Sequence, residues 1–142
     1  MKSRTTWKPK VLPPSWGKIQ DYDRGWIAAL IDSEGSLCIR KLKNGGLYPN
    51  LQIWNTDRRF LEHAQRIIGG TLCEVKPSNS LSKKRVYQLS LYQTLLMWLL
   101  PQVELIVKAK RKRQVLKLLK EKGVTSWESG LDVQTQREAL EV

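Results

Sequence analysis

Two carboxylates, Asp32 and Glu34, stand at the end of an apolar segment that is rich in small residues, 27–35. Its apolar residues follow the 3.6-residue period of a helix beginning near Arg24, and Gly35 is a usual helix terminator. A carboxylate at the C-terminal end of a helix lies at the negative end of the helix dipole, which is unfavourable unless a cation binds nearby. The spacing therefore indicates that Glu34 is an acidic group suited to a cation.

The helix that positions these carboxylates has two different faces. One face is bulky and suited to a core, with Trp26, Ile27, Leu30 and Ile31. The other face has small residues at i, i+3, i+4 and i+7, which are Gly25, Ala28, Ala29 and Asp32. Small residues let a second backbone approach closely, so this face predicts a partner helix. On periodicity alone, a buried amphipathic helix that stops in a turn explains the segment as well.

The residues from Ile27 to Gly35 resemble the signature of the LAGLIDADG homing endonucleases, whose name spells their consensus. Identical to the consensus are Leu30, Ile31, Asp32 and Gly35, and Ala28 also matches. Conservative replacements stand at Ile27, Ala29, Ser33 and Glu34. None of the replacements removes a small, apolar or acidic character where the signature has one.

The resemblance implies a homodimer, because family members with one signature helix pair through it and this chain has one copy. Gly25, Ala28, Ala29 and Asp32 would form that interface, and Glu34 would meet its symmetry mate near the two-fold axis. Both glutamates would bind Mg²⁺, or another divalent cation such as Mn²⁺, beside the scissile phosphates. The implied activity is site-specific hydrolysis of double-stranded DNA, with a long site recognised through the major groove. Paired metals can activate water and neutralise phosphoryl charge.

The resemblance also implies further catalytic residues. Lys108 matches the family's lysine best, when aligned through Val115-Leu116-Lys117. Asn55 falls where the family often has Gln, and Arg58 or Arg59 falls where it has a basic residue. We expect these polar groups to organise water around the metal.

Composition favours a polyanionic partner. The chain of 142 residues fits one domain, and its 25 basic and 13 acidic residues give a net charge of +12. Nucleic acid is the first candidate and an anionic membrane surface the second. No apolar run is long enough to span a membrane and no signal peptide precedes the domain, so we expect an intracellular protein of a prokaryotic cytoplasm or an organelle. Cys38, Cys73 and His63 do not form a zinc motif, so free thiols are expected.

The order of elements predicts an α+β fold. Helix, hairpin, helix, hairpin and helix would place the helices on one face of a four-stranded antiparallel, saddle-shaped sheet. The predicted strands are 36–43, 47–56, 72–76 and 85–92, and the helices after the signature are 57–68, 94–100 and 104–122. We expect a basic N-terminal arm at 1–20 that resists helix and sheet alike, an endonuclease domain at 21–123, and a C-terminal extension at 124–142 with a capping box at Thr135 and Glu138.

The face of the sheet away from the helices is the predicted DNA-binding surface. Its residues combine hydrogen-bond donors, acceptors and flat side chains: Ser36, Cys38, Arg40, Tyr48, Asn50, Gln52, Trp54, Glu74, Lys76, Lys84, Val86 and Gln88. A two-stranded ribbon fits the major groove, where Arg, Gln and Asn pair bidentately with guanine or adenine edges. A sheet face that is merely solvated has a similar composition. The basic run at 110–113, on the last predicted helix, fits a solvated helix face and a contact with DNA phosphates equally well.

Two other functions fit the sequence. The first is a protein of the same fold that has lost cleavage and acts as an intron RNA maturase or a DNA-binding regulator, with intron RNA as a further partner. The second is a generic basic RNA-binding protein, which composition alone permits. Tight binding without cleavage would favour the first, and weak sequence discrimination by a monomer would favour the second.

Overall fold

A computed structural model describes residues 6–7, 17–75 and 85–124 of the chain. The fold is α+β, with helices on one face of an antiparallel sheet, as the pattern of elements predicts. The elements in chain order are β1 (Thr6–Trp7), α1 (Asp21–Glu34), β2 (Gly35–Lys41), β3 (Leu47–Asn55), α2 (Arg58–Ile68), β4 (Thr71–Val75), β5 (Val86–Tyr92), α3 (Gln93–Leu99) with a 3₁₀ turn (Leu100–Gln102), and α4 (Ala109–Glu121). The strands lie in the order β1-β4-β5-β3-β2.

The N-terminal arm contributes a strand, contrary to the prediction that residues 1–20 resist sheet. Thr6 pairs with Glu74 and Trp7 with Cys73, which makes β1 a two-residue edge strand beside the four predicted ones. Thr and Trp both favour extended backbone, and β4 would otherwise present an unpaired edge. The rest of the arm up to residue 16, and the capping box predicted at Thr135, lie outside the described residues.

The core lies between the helices and the apolar face of β3 and β5. Ile27 and Ile31 of α1 are fully buried against it, together with Leu51, Ile53, Leu89 and Leu91 of the central strands. Five of the seven residues of α3 are buried, so α3 is largely a core element. The bulky face of α1 is thus the core face, as predicted.

Strand β3 is central, whereas Pro49 within it predicts an edge strand or a bulge. Pro49 pairs with Ile39 of β2, but pairing with β5 begins only at Asn50, which is opposite Tyr92. The proline therefore lies at the end of β3 where the strand has one neighbour and no β5 residue opposite it, which resembles the edge position that proline prefers.

Gly35 joins α1 directly to β2 without a loop. Its backbone is extended, with φ of −83°, so the left-handed conformation usual for a terminal glycine is not the reason for it. A Cβ at this position would lie 2.8 Å from the carbonyl oxygen of Ile31. The start of β2 therefore lies so close to the last turn of α1 that position 35 has room for a hydrogen atom but not for a Cβ.

Candidate functional site

Glu34 lies exposed at the C-terminal end of α1 and lines a groove of about 310 Å³. The other residues of the groove come from the end of β3 and the start of β5: Trp54, Asn55, Thr56 and Val86. Among the residues that the structure describes, no side chain donates a hydrogen bond to the Glu34 carboxylate or forms an ion pair with it. The negative end of the α1 dipole thus carries an unneutralised acid that is accessible to a cation.

Lys108 is held against the same end of α1. Its Nζ donates to the backbone carbonyl of Asp32 at 2.7 Å, two residues before Glu34. That carbonyl is one of the last four of the helix, which have no partner within the helix itself. The structure therefore brings the predicted lysine and the predicted acid to one helix terminus.

Asp32 organises the segment that carries Lys108. Its Oδ2 accepts from the backbone N–H of Ile106 at 2.7 Å, and its Oδ1 accepts from that of Lys108 at 3.1 Å. In a helix beginning at Glu104 the Lys108 N–H would bond to the Glu104 carbonyl, but here it donates to Asp32, and α4 begins only at Ala109. The prediction of a helix over 104–122 is therefore wrong in its first five residues.

Asp32 also makes the stability of the fold depend on pH. Burial raises the pKa of its carboxyl, but the amide hydrogen bonds from Ile106, Lys108 and Val107 and the charge of Lys108 together bring the pKa below its ordinary value of 3.8. A lowered pKa means that the folded state binds fewer protons than the unfolded state. The Asp32 carboxylate therefore stabilises the fold fully above the pKa that this carboxyl has in the unfolded chain. The stabilisation is lost as the pH falls through the lower pKa that it has in the folded protein.

We expect Asp32→Asn to lower the free energy of unfolding at pH 7 by about 1–3 kcal/mol, since an amide group replaces a charged double acceptor. Urea unfolding of both proteins between pH 7 and pH 3 measures the difference. The difference should stay constant down to about pH 4 and then narrow. A difference that is the same at pH 3 and pH 7 would show that the carboxylate charge has no part in holding the 106–108 segment.

The remaining predicted catalytic residues are Asn55, Arg58 and Arg59, and they differ in whether they line the groove of Glu34. Asn55 lines the groove of Glu34, and its Oδ1 accepts from the backbone N–H of Asp57 at 2.7 Å, which leaves its amide N–H groups available. Arg58 forms an ion pair with Glu62 at 2.7 Å, and Arg59 forms one with Asp57 at 3.0 Å. Of these three residues, the described groove includes Asn55 alone.

The small-residue face of α1 is turned to solvent. Gly25 and Ala29 are exposed, and Ala28 and Asp32 are half-buried, along a groove of about 400 Å³ that Ile106 also lines. A Cβ on Gly25 would meet no atom within 4 Å. Glycine inside a helix is less stable than alanine by roughly 0.5–1 kcal/mol, and no contact with a described residue requires a glycine at position 25. The face has the space that a second backbone would need.

The sheet face away from the helices combines accessible and buried side chains. Cys38, Arg40 and Trp54 are exposed, and Ser36, Tyr48, Gln52 and Val86 are half-buried. Asn50 and Gln88 are buried, with 3% and 9% of their surface exposed. Gln88 accepts from Trp54 Nε1 at 3.0 Å and donates to Ser90 Oγ at 2.7 Å.

Glu74 lies on the opposite face from the one predicted. The register pairs Glu74 with Tyr87, and Leu72, two residues away, lies in the core. Alternation counted within β4 alone fixes only which residues share a side, and the pairing with β5 decides which side is the core. Lys76 and Lys84, also predicted on the outer face, lie outside the described residues.

Comparison with known proteins gives one informative match. No family model matches the chain, and no curated protein matches it. Three chains of solved structures match, among them the archaeal intron-encoded homing endonuclease I-Vdi141I, complexed with DNA. The chain is similar to a homing endonuclease. The identity is 26% and the TM-score 0.47, over 70% of this chain and 66% of that one. The chain thus spans slightly less than two thirds of that endonuclease.

Two negative findings limit the kinds of site that the described residues form. Within residues 17–75 and 85–124, no group of three or more His, Cys, Asp or Glu side chains could hold a metal ion. No described helix is long and apolar enough to cross a membrane. Cys38 and Cys73 are free thiols, as predicted. Among the described residues, Glu34 is therefore not part of a cluster of three such side chains.

Sequence reasoning did not predict the acceptor role of Asp32 toward residues 106–108. No local pattern marks it, because the two partners are 74 to 76 residues apart. The only signal in the sequence is a second carboxylate, two residues before Glu34, on a helix face of otherwise small residues.

Proposed function

We propose that the protein is a homodimeric, metal-dependent endonuclease of the LAGLIDADG homing type, which hydrolyses phosphodiester bonds at a specific site in double-stranded DNA. The observation that carries the proposal is the unpaired, exposed carboxylate of Glu34 at the end of the signature helix. A lysine ammonium and an asparagine amide are positioned at the same end of the helix. This combination of groups suits hydrolysis of a phosphate ester.

The donor set fits a hard divalent cation that retains water. Mg²⁺ is commonly bound by one or two carboxylates, with phosphate oxygens and water as its other ligands. Glu34 from each of two subunits would supply the carboxylates, and the DNA would supply the phosphate oxygens. When bound, such ions would supply an activated water and neutralise charge on the phosphoryl oxygens. Lys108, fixed by Asp32, would place a positive charge beside the reacting phosphate.

The charge distribution supports DNA as the partner. Four arginines of the described residues are neutralised by nearby acids: Arg24, Arg58, Arg59 and Arg85. By contrast, no basic residue of α4 forms an ion pair with a described acid. Unpaired cations attract a phosphate backbone irrespective of its sequence. The accessible residues of the outer sheet face, above all Arg40 and Gln52, would then read base edges in the major groove.

Dimerisation through α1 is supported by the open face at Gly25 and Ala29. Pairing of two copies about a two-fold axis would bring this same face of both subunits together. It would fill the groove beside Gly25, where no contact with the described part of the subunit requires a glycine. It would also bring two Glu34 carboxylates to one axis, which a single chain cannot do.

The direct test is cleavage of a randomised double-stranded DNA library with Mg²⁺, followed by sequencing of the ends. We expect cuts in both strands at one long consensus site, and no cuts in EDTA. Specific binding with no cut under any divalent ion would instead favour a regulator or an intron RNA maturase. Binding with no preference among sequences would contradict the proposal outright.

A further inference from the structure

Asn50 is a buried side chain with unsatisfied hydrogen-bonding groups. Only 3% of its surface is exposed, and its side-chain amide has no hydrogen-bond partner among the residues that the structure describes. An amide carries two N–H donors and one carbonyl acceptor. Buried polar groups are nearly always paired, because an unpaired one has lost its bonds to water without replacement. Asn50 thus lowers the stability of the fold, whereas an apolar residue at the same position would raise it.

The position of Asn50 places two tyrosines beside the amide. In the sheet it pairs with Cys38 on one side and Tyr92 on the other, and Tyr48 lies two residues away on the same face. The rings of Tyr48 and Tyr92 contact each other, with centroids 5.7 Å apart and planes at 52°. Both tyrosines are half-buried, so rotation of their side chains toward solvent would open access to the amide.

Gln88 shows that this sheet face can satisfy a buried amide. Gln88 is also on the outer face and almost as buried, yet its oxygen accepts from the Trp54 indole and its nitrogen donates to Ser90. A base that bound Gln88 would first have to break both bonds. A base that bound Asn50 would break none, and the amide would gain in the complex the bonds that it lacks in the free protein.

We propose that Asn50 is a specificity-determining residue, which pairs with an adenine in the major groove after Tyr48 and Tyr92 rotate away from it. This inference rests on the proposed function and deepens it. Asparagine is suited to adenine because its oxygen and nitrogen match the N6 donor and the N7 acceptor of that base. In a homodimer the preference would occur once in each half-site, at symmetric positions.

The first experiment compares stabilities of matched variants. Asn50→Leu replaces the unpaired amide with an apolar group of similar shape, so we expect the urea midpoint to rise. Gln88→Met removes a paired amide and leaves the Trp54 indole and Ser90 without their partner, so we expect its midpoint to fall. A midpoint of Asn50→Leu at or below that of the wild type would overturn the claim that the amide is unsatisfied.

The second experiment selects binding sites from a randomised duplex library with the wild type and with Asn50→Leu. We expect the two to share one consensus except at a symmetric pair of positions, where the wild type selects adenine and the variant loses that preference by about tenfold or more. The same consensus with adenine retained would overturn the inference and leave the proposed function intact. Absence of any consensus for the wild type would overturn both.

Discussion

Glu34→Gln should lower the rate of DNA cleavage by about 10²–10³-fold or more, the usual cost of removing one preorganised electrostatic group from a reacting centre. The substitution keeps the size of the side chain and removes its charge. Since the carboxylate has no partner among the described residues, no internal ion pair or hydrogen bond is broken and the fold should be unaffected. Single-turnover cleavage of the selected site in Mg²⁺ measures the rate.

Binding must be measured alongside cleavage. Loss of one negative charge next to phosphates should leave the DNA affinity of Glu34→Gln equal to or tighter than that of the wild type. Asp23→Asn is the matched control, because it removes the same charge from the first turn of the same helix, away from the groove. If the two variants slowed cleavage equally, the effect would be one of net charge and Glu34 would have no special role.

If α1 forms the proposed dimer interface, Ala29→Trp should give a monomer of 16.4 kDa in place of the dimer, detectable by sedimentation equilibrium. Ala29 is exposed on the small-residue face of α1. In a monomer the indole would therefore extend into solvent, whereas in the proposed dimer it would clash with the opposing helix. The circular dichroism spectrum should remain that of the wild type, and cleavage should be lost with the dimer. A dimer of unchanged mass would refute this interface.

Gly25→Ala refines the same test with a single methyl group. In the monomeric Ala29→Trp background it should raise the free energy of unfolding by about 0.5–1 kcal/mol, because alanine is the better helix residue and its Cβ meets no atom. In the wild-type background it should weaken the dimer. Equal stabilisation in both backgrounds would mean that no second backbone approaches Gly25.

The sequence predicts those parts of the fold that depend on local patterns. Periodicity identifies α1 and its core face, and alternation identifies β2 and β3 and the side on which Gln52 and Trp54 lie. The end of α1 at Glu34, which defines the candidate site, also follows from sequence, because Gly35 directly follows the acidic residue. In each case the deciding residues are within one element, so their spacing is sufficient.

Features that depend on contacts between distant segments are not predictable in this way. The two-residue strand β1 exists because β4 presents a free edge to pair with, and Glu74 faces the helical layer because of the register between β4 and β5. The late beginning of α4 accompanies the bond from the Lys108 N–H to Asp32, a residue 76 positions away in the sequence. Likewise, the unpaired state of Asn50 follows from which neighbours the packed sheet supplies.

The junction at Gly35 bears on how far the protein could be retargeted. Because α1 passes into β2 without a loop, Glu34 and Ser36 are joined by helix and strand backbone with no intervening loop residue. Under the proposed function, changes along β2 would alter which sequence is cut while the cut kept its place within that sequence.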